Sequence, residues 1–177
     1  MRTVSQFSNY HNLGRIRTSL LPFGASTRSG PVTTSLFMDY QSNSEQDTKN
    51  IAKKIAASLK GGDIVLLYGD LGAGKSTFTR GVAEYFQINE TITSPTFTLM
   101  NIYPIKNNEI KQLVHIDTYR LENEKQMIEI GAEDYLSAPD TVCFIEWPEK
   151  LDTLLQNKKI IKITIEHVGE ERTITVN

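Results

Sequence analysis

The 177-residue sequence predicts an α/β fold, a three-layer sandwich around a mixed, mostly parallel sheet with a C-terminal antiparallel hairpin. Three observations predict it. The run 64–68 is apolar throughout, as in a parallel strand that is covered on both faces. Two further short apolar runs, 113–117 and 142–146, each end on a carboxylate. Near the end of the chain, two runs rich in β-branched residues flank Gly169, which is the signature of a hairpin.

Residues 1–37 differ from the rest of the chain in composition. They hold four arginines but no lysine and no acid, and no periodic apolar pattern is visible before Met38. We therefore predict that 1–37 form a disordered extension and that 38–177 form the folded domain. A transit peptide has the same Arg-rich, Ser-rich composition and is an alternative, as is a true start at Met38.

The chain beyond this extension is acidic. Without those four arginines, 15 of the 19 basic residues remain against 21 acids, which gives a net charge of −6. This balance excludes a broad basic face for nucleic acid, so a role in an RNA pathway would imply contact with RNA through a partner. The chain has no run of 18 or more apolar residues, so no membrane-spanning helix is predicted.

The single cysteine, Cys143, lies inside an apolar run. This position predicts a buried thiol in a reducing compartment, and one cysteine can build neither a disulfide nor a metal cluster. A cytoplasmic location is therefore expected, or an organelle if 1–37 are a transit peptide.

A helix is predicted before the first apolar strand. Ser42 or Ser44 can cap its start, and Gly61-Gly62 ends it. Five apolar residues recur at helical spacing between these limits: Ile51, Ala52, Ile55, Ala56 and Leu59.

The stretch 69–76 reads GDLGAGKS and satisfies the pattern G-x-x-x-x-G-K-[ST] at every fixed position. Its glycines allow successive backbone N–H groups to point at a polyphosphate. Lys75 is then placed to meet the outer phosphate charge, and the Ser76 hydroxyl to ligate Mg²⁺. The apolar strand before the loop and a helix predicted over about 75–87 supply the context that this motif requires.

The loop therefore predicts a P-loop NTPase fold that binds a nucleoside triphosphate with Mg²⁺, and the start of the helix adds its positive dipole end to the same anion site. The predicted nucleotide-binding residues are Asp70, Leu71, Gly72, Ala73, Gly74, Lys75, Ser76 and Thr77.

The segment 91–99 is dense in hydroxyl side chains, and Pro95 bars a helix there. A nucleotide-sensing switch is expected at this position of a P-loop fold, and an edge strand is the alternative. We favour the switch because Ser94-Pro95-Thr96 suits a strand interior poorly.

Asp117 and Glu146 close the two later apolar strands and are the candidate acids. Two carboxylates at the carboxyl edge of the sheet can hold Mg²⁺ and position a water. Each alone is equally consistent with a turn acid, but the pair beside an intact loop favours a functional site. His115 alternates with apolar positions and is given no catalytic role, and Trp147 is consistent with either the core or the site.

Between these two strands the pattern predicts one or two helices interrupted near Gly131, and after Pro148 it predicts a short helix. Arg120 is consistent either with a phosphate contact or with an ion pair to Glu122 or Glu124.

Five segments, in this order and spacing, resemble the TsaE (YjeE) family of small bacterial P-loop ATPases of tRNA threonylcarbamoyladenosine biosynthesis. They are GDLGAGKSTFTRG (69–81), TSPTFTLMNIY (93–103), HIDTYRL (115–121), EIGAEDYL (129–136) and IEWPEKL (145–151). The resemblance covers nearly everything from residue 44 to the C-terminus. It is far more specific than the phosphate loop alone.

The resemblance implies a weak ATPase that is stimulated by partners, with ATP and Mg²⁺ as its cofactors. By position it makes Asp117 a Walker-B-like acid, Glu146 an acid at the Mg²⁺ and γ-phosphate side, and Thr96 part of the switch. The candidate catalytic residues are thus Asp117, Glu146 and Thr96, and the candidate Mg²⁺ ligands are Ser76 and Glu146. Which acid contacts the metal directly stays open.

The implied partners are a threonylcarbamoyl-transferase subunit (TsaD-like) and its paralogue (TsaB-like), with tRNA met only indirectly and no membrane. The sequence departs from the family at Ser76, where threonine is frequent and the hydroxyl is kept, and at Thr118, where leucine is usual. Residues 1–37 have no counterpart in the family pattern.

Two other functions share the loop and the acids. A small-molecule kinase usually closes an arginine-bearing lid, but only Arg80, Arg120 and Arg172 follow Met38. A nucleotide-dependent interaction switch is the non-enzymatic alternative. A GTPase is disfavoured because the sequence has no Asn-Lys-x-Asp motif.

Overall fold

A computed structural model describes residues 14–19, 35–106 and 109–177. The strands are β1 (Arg15–Ser19), β2 (Ser35–Ser42), β3 (Ile64–Tyr68), β4 (Met100–Pro104), β5 (Gln112–Asp117), β6 (Thr141–Glu146), β7 (Ile160–Val168) and β8 (Glu171–Val176). The helices are α1 (Glu45–Ala56), α2 (Lys75–Tyr85) and α3 (Lys125–Glu129), with short 3₁₀ turns at Ala132–Asp134 and Pro148–Lys150.

All eight strands belong to one sheet, in the order β1-β2-β8-β7-β3-β6-β5-β4. The four central strands β7, β3, β6 and β5 are parallel, and β3 lies between β7 and β6. The β7–β8 hairpin is antiparallel, which confirms the predicted mixed sheet. Antiparallel pairing continues from β8 to β2 and β1 on one side, and β4 pairs antiparallel with β5 on the other.

Two cores cover the faces of this sheet, which confirms the predicted sandwich. Helices α1 and α2 pack on one face, where Phe78 and Phe144 are fully buried with ring centroids 6.4 Å apart. Helix α3 and the turns around it cover the other face, where Met127 and Leu151 are fully buried. Burying each of these side chains contributes roughly 1.5–3 kcal/mol. Strand β3 is covered on both faces, as its unbroken apolar sequence predicts.

Helix α1 begins at the second of its two candidate caps. The Ser44 hydroxyl accepts a hydrogen bond from the Asp47 N–H at 3.0 Å, whereas the Ser42 hydroxyl is buried against Thr48. Gly81 of α2 faces α1, and a Cβ there would lie 2.7 Å from the Lys49 Cα. Glycine at this position therefore allows α1 and α2 to pack closely. Their spacing fixes α2, whose first turn carries the phosphate-loop lysine.

The region between β5 and β6 follows the prediction, since α3 and a 3₁₀ turn are separated at Gly131, which has φ +74°. The stretch after Pro148 differs from it. A 3₁₀ helix covers Pro148–Lys150 and irregular turns follow, so Leu151, Leu154 and Leu155 enter the core from turns rather than from a helix.

The predicted extension 1–37 lies mostly outside the described residues. Within the described part, β1 and the start of β2 fall in this range, so the predicted boundary at Met38 lies inside a strand. Met38 is opposite Val176 of β8. Met38 and Tyr40 alternate along β2 and pack against the core on the α1 and α2 side, so this strand has an apolar face as well as backbone partners on β8. In the described residues no helix is long and apolar enough to cross a membrane.

Candidate active site

The phosphate loop joins β3 to α2 at the carboxyl edge of the parallel strands. Gly74 stands at the N-cap of α2 with φ +112°, a conformation that only glycine adopts without strain. No side chain caps this helix. The first N–H groups of α2 are therefore free of a side-chain partner and point at the loop, which is the arrangement that binds an anion.

Lys75 lies inside this loop and is only 4% exposed. Its ammonium donates to the backbone carbonyls of Gly69 at 2.6 Å and Asp70 at 2.9 Å. Desolvation lowers the pKa of Lys75 below its ordinary value, and nearby carboxylates, Glu146 foremost, act in the opposite direction. The charge is thus held in place by acceptors that a phosphate oxygen can replace.

Trp147 covers the same ammonium from the other side. The Lys75 Nζ lies 3.9 Å from the centroid of the indole ring, within cation–π range. Trp147 itself has φ +59°, which costs a non-glycine residue about 1–2 kcal/mol. Its carbonyl accepts the Thr118 hydroxyl, and the Tyr119 ring packs 5.0 Å away, so the strained backbone is supported by its neighbours. Of the two interpretations of Trp147, the structure supports the one that places it at the site.

The Ser76 hydroxyl is joined directly to one of the two candidate acids. It donates to Glu146 Oε1 at 2.9 Å, across 70 positions of sequence. The same oxygen lies 2.9 Å from His115 Nε2. Glu146 is therefore the acid next to the phosphate loop, and its carboxylate lies between Ser76 and His115 of β5.

Asp117 faces a different partner. Its Oδ2 accepts the Ser94 hydroxyl at 2.6 Å and the Thr96 hydroxyl at 2.8 Å, while its Oδ1 accepts the Tyr119 N–H at 3.0 Å. Asp117 and Glu146 are direct neighbours in the β5–β6 register. The two predicted acids thus lie side by side, but Asp117 is bonded to the hydroxyl-rich segment and Glu146 to the loop.

These groups surround a cavity of about 600 Å³. Its walls contain most of the predicted site residues together with Arg80, Tyr119 and Arg120. The predicted residues that line it are Leu71, Gly72, Gly74, Lys75, Ser76, Thr77, Thr96, Asp117 and Glu146.

Two of the predicted loop residues lie elsewhere. Asp70 and Ala73 line a neighbouring cavity of about 470 Å³ between the loop and the end of β7. The other side of the loop is clamped by the C-terminal hairpin, since Arg172 Nε donates to the Ala73 carbonyl at 3.1 Å. The loop therefore separates two cavities, and the candidate acids Asp117 and Glu146 line only the larger one.

His115 was missed by the sequence interpretation, which gave it no role. The signal was available, because side chains two positions apart on a strand share a face. His115 lies two positions before Asp117, on the face that Glu146 shares, and therefore points toward the acids. Arg120 faces the cavity and lies 4.4 Å from the Phe97 ring centroid. No local sequence pattern predicts this contact.

The donors at the loop suit Mg²⁺. A hydroxyl oxygen and a carboxylate oxygen meet at Ser76 and Glu146, and Mg²⁺ prefers one or two such protein oxygens, completed by phosphates and water. Among the described residues there is no cluster of three or more His, Cys, Asp or Glu that could enclose a metal.

A mixed β-sheet with a parallel centre, a glycine-rich loop between a central strand and a helix, and two acids on adjacent strands define a P-loop α/β protein. The chain belongs to the TsaE family, because the protein-family model described as "Threonylcarbamoyl adenosine biosynthesis protein TsaE" matches residues 42–174. The resemblance inferred from the sequence is therefore confirmed.

Individual relatives agree. A tRNA threonylcarbamoyladenosine biosynthesis protein TsaE from Bacillus subtilis is 40% identical over 131 residues, 73% of this chain and 78% of the relative. The protein of that name from Rickettsia conorii is 41% identical over 133 residues, 75% of this chain and 73% of the relative. The crystal structure of Bacillus subtilis YdiB superposes with a TM-score of 0.64 at 34% identity, covering 79% of this chain and 84% of that one.

Proposed function

We propose that this chain is a Mg²⁺-dependent ATPase that serves tRNA threonylcarbamoyladenosine biosynthesis. Membership of the TsaE family supports the role in that biosynthesis. The observation that supports hydrolysis is the contact between the Ser76 hydroxyl and the Glu146 carboxylate, beside the buried ammonium of Lys75. A phosphate loop alone accounts for binding. A buried acid joined to that loop adds a group that can act on a water at the γ-phosphate.

In this proposal the loop binds the triphosphate through its backbone N–H groups and Lys75. Lys75 would exchange its two carbonyl acceptors for phosphate oxygens, and the Ser76 hydroxyl would hold the metal instead of bonding to Glu146. When bound, Mg²⁺ neutralises the charge that develops on the phosphate oxygens. Glu146 then has an oxygen free to orient the attacking water and to accept its proton. Trp147 and Tyr119 form an aromatic wall that limits access of bulk water.

The hydroxyl-rich segment is proposed to sense the nucleotide. Ser94 and Thr96 make hydroxyl contacts to each other and to Asp117, so a charge at the γ-phosphate position can compete for them. The segment would then report the nucleotide state to a bound partner.

The rim of the cavity supports a partner at this face. Leu71, which lines the cavity, is 78% exposed. Phe97, whose ring centroid lies 4.4 Å from the cavity residue Arg120, is 83% exposed. Exposed apolar side chains around a polar site are typical of a protein interface. We propose that a threonylcarbamoyl-transferase subunit and its paralogue bind here and stimulate ATP turnover. In this proposal the chain contacts tRNA only through them.

The three arginines after residue 38 favour hydrolysis over transfer to a small-molecule acceptor. Arg80 belongs to α2, Arg172 to β8, and Arg120 follows β5. All three are attached to the framework of the site, whereas a kinase usually carries such arginines on a lid that closes over both substrates.

Phosphate release and tRNA modification test the proposal together. We expect the purified chain to release phosphate slowly from Mg²⁺–ATP, faster release with the transferase pair, and none with EDTA. Multiple-turnover modification of tRNA by the pair should depend on the chain. Equal multiple-turnover modification with and without it would overturn the proposed role, and absence of Mg²⁺-dependent phosphate release with the pair present would overturn the ATPase.

A further inference from the structure

His115 is completely buried in the middle of β5, on the sheet face that α2 covers. A buried imidazole needs hydrogen-bond partners for its two ring nitrogens, because an unmet polar atom in the core costs about 1–3 kcal/mol. Only one of the two nitrogens has such a partner. Nε2 lies 2.9 Å from Glu146 Oε1, and Nδ1 has no partner among the described residues.

This pattern of partners assigns the ring proton. A carboxylate oxygen only accepts, so Nε2 must carry the hydrogen that is shared with Glu146. The ring therefore donates from Nε2 to Glu146.

The contact from His115 reaches the same Glu146 oxygen that bonds to the phosphate loop. Glu146 Oε1 accepts from Ser76 Oγ at 2.9 Å on the loop side and from His115 Nε2 at 2.9 Å on the core side. If the Ser76 hydroxyl held a metal, its bond to Glu146 would be lost. His115 Nε2 would remain as the donor that orients the carboxylate.

We propose that His115 is a positioning residue for Glu146, acting on hydrolysis and on the metal through that carboxylate without touching the nucleotide. The inference rests on the proposed ATPase function. The positioning role also explains why an imidazole occupies this place although its Nδ1 has no hydrogen-bond partner among the described residues. A leucine would fill similar space without leaving a polar atom unpaired, so packing alone does not account for an imidazole here, whereas a donor to Glu146 does.

Three substitutions separate positioning from packing. His115→Leu removes the donor. His115→Gln keeps an N–H at about the reach of Nε2, and His115→Asn keeps an N–H that is too short to reach Glu146. Each variant is assayed in the full chain, with the transferase pair present, for kcat and KM of phosphate release from ATP. The fluorescence of Trp147, the only tryptophan in the chain, reports nucleotide binding over a Mg²⁺ titration.

We expect kcat to fall about 10–100-fold in His115→Leu with KM changed less than about threefold, as for other groups that orient a metal ligand. The Mg²⁺ concentration at half-maximal fluorescence change should rise about 10-fold. Nucleotide affinity without Mg²⁺ should not change. His115→Gln should restore both values to within about threefold of the unmodified chain, and His115→Asn should not.

A kcat and Mg²⁺ midpoint in His115→Leu that match those of the unmodified chain would overturn the inference. So would equal defects in folded His115→Gln and His115→Asn, a comparison that also decides the matter if His115→Leu does not fold. Failure of the proposed function looks different, because the unmodified chain itself would then release no phosphate with the pair and Mg²⁺ present.

Discussion

The phosphate loop (residues 69–76) and the hydroxyl-rich segment (residues 91–99) face the same cavity but are built differently. The loop is anchored between the buried strand β3 and helix α2, and Lys75, Ser76 and Ala73 are each bonded to backbone or side chains around them. The segment has no regular structure and is mostly exposed. It reaches the site through the hydroxyls of Ser94 and Thr96.

The difference assigns a task to each region. Phosphate binding needs N–H groups in a fixed geometry, and a loop held by the core supplies them without reorganisation. A sensor must have two arrangements of similar free energy, and a segment held by a few polar contacts can provide them. Asp117 and Glu146, adjacent in register, connect one acid to each region.

The most severe test of the loop is Lys75→Ala. Each bond from the ammonium to a phosphate contributes about 1.5–3 kcal/mol, so two such bonds predict that ATP affinity falls on the order of 10²–10⁴-fold. Titration by calorimetry measures this affinity, with the exposed Lys106→Ala as the charge-matched control. Unchanged affinity in Lys75→Ala would remove the basis for assigning the loop to phosphate.

Glu146→Gln and Asp117→Asn test the two acids. We expect each to lower kcat of ATP hydrolysis about 100-fold or more, with nucleotide affinity within about threefold, because the loop that binds phosphate stays intact. Single-turnover phosphate release and calorimetry separate the two effects. The exposed Glu133→Gln provides the control for loss of one charge. Loss of binding without loss of hydrolysis in either variant would contradict the division of tasks.

Ser94→Ala combined with Thr96→Val tests the attachment of the segment. Each hydroxyl bond contributes about 1 kcal/mol, so we expect about a 10-fold lower kcat and faster chymotrypsin cleavage at the exposed Phe97. Thr98→Val is the matched control, since its hydroxyl bonds to Asn101 and not to Asp117. Cleavage at the same rate in both variants would mean that Asp117 does not hold the segment.

The smallest effect concerns Cys143, which lies on β6 in the core that α3 covers. Burial raises the pKa of its thiol to about 12, so it stays protonated and inaccessible at pH 8. We expect no reaction with a thiol reagent in the native protein over the time in which chymotrypsin cuts the segment. One thiol should react after denaturation. Rapid native labelling would show that the framework opens as readily as the segment does.

Much of this site was predictable because its signals are local. The phosphate loop is a run of eight positions whose spacing is sufficient to recognise it, and the strands before it and before Asp117 and Glu146 are marked by short apolar runs. The parallel centre and the C-terminal hairpin followed from the same runs and were confirmed. Strand β1 was not predictable in this way, because its sequence RIRTS contains no apolar run and its partner is the backbone of β2.

The sequence by itself determined that a phosphate loop, a hydroxyl-rich segment and two strand-end acids exist, since each is encoded by residues adjacent in the chain. Only the tertiary structure decided how they pair. Ser76 bonds to Glu146, Ser94 bonds to Asp117, and His115 Nε2 lies 2.9 Å from Glu146 Oε1. The physical reason is tertiary packing. The β5–β6 register sets Asp117 beside Glu146, and the positions of α2 and of the hydroxyl-rich segment against the sheet bring residues 21 to 70 positions apart into hydrogen-bond distance.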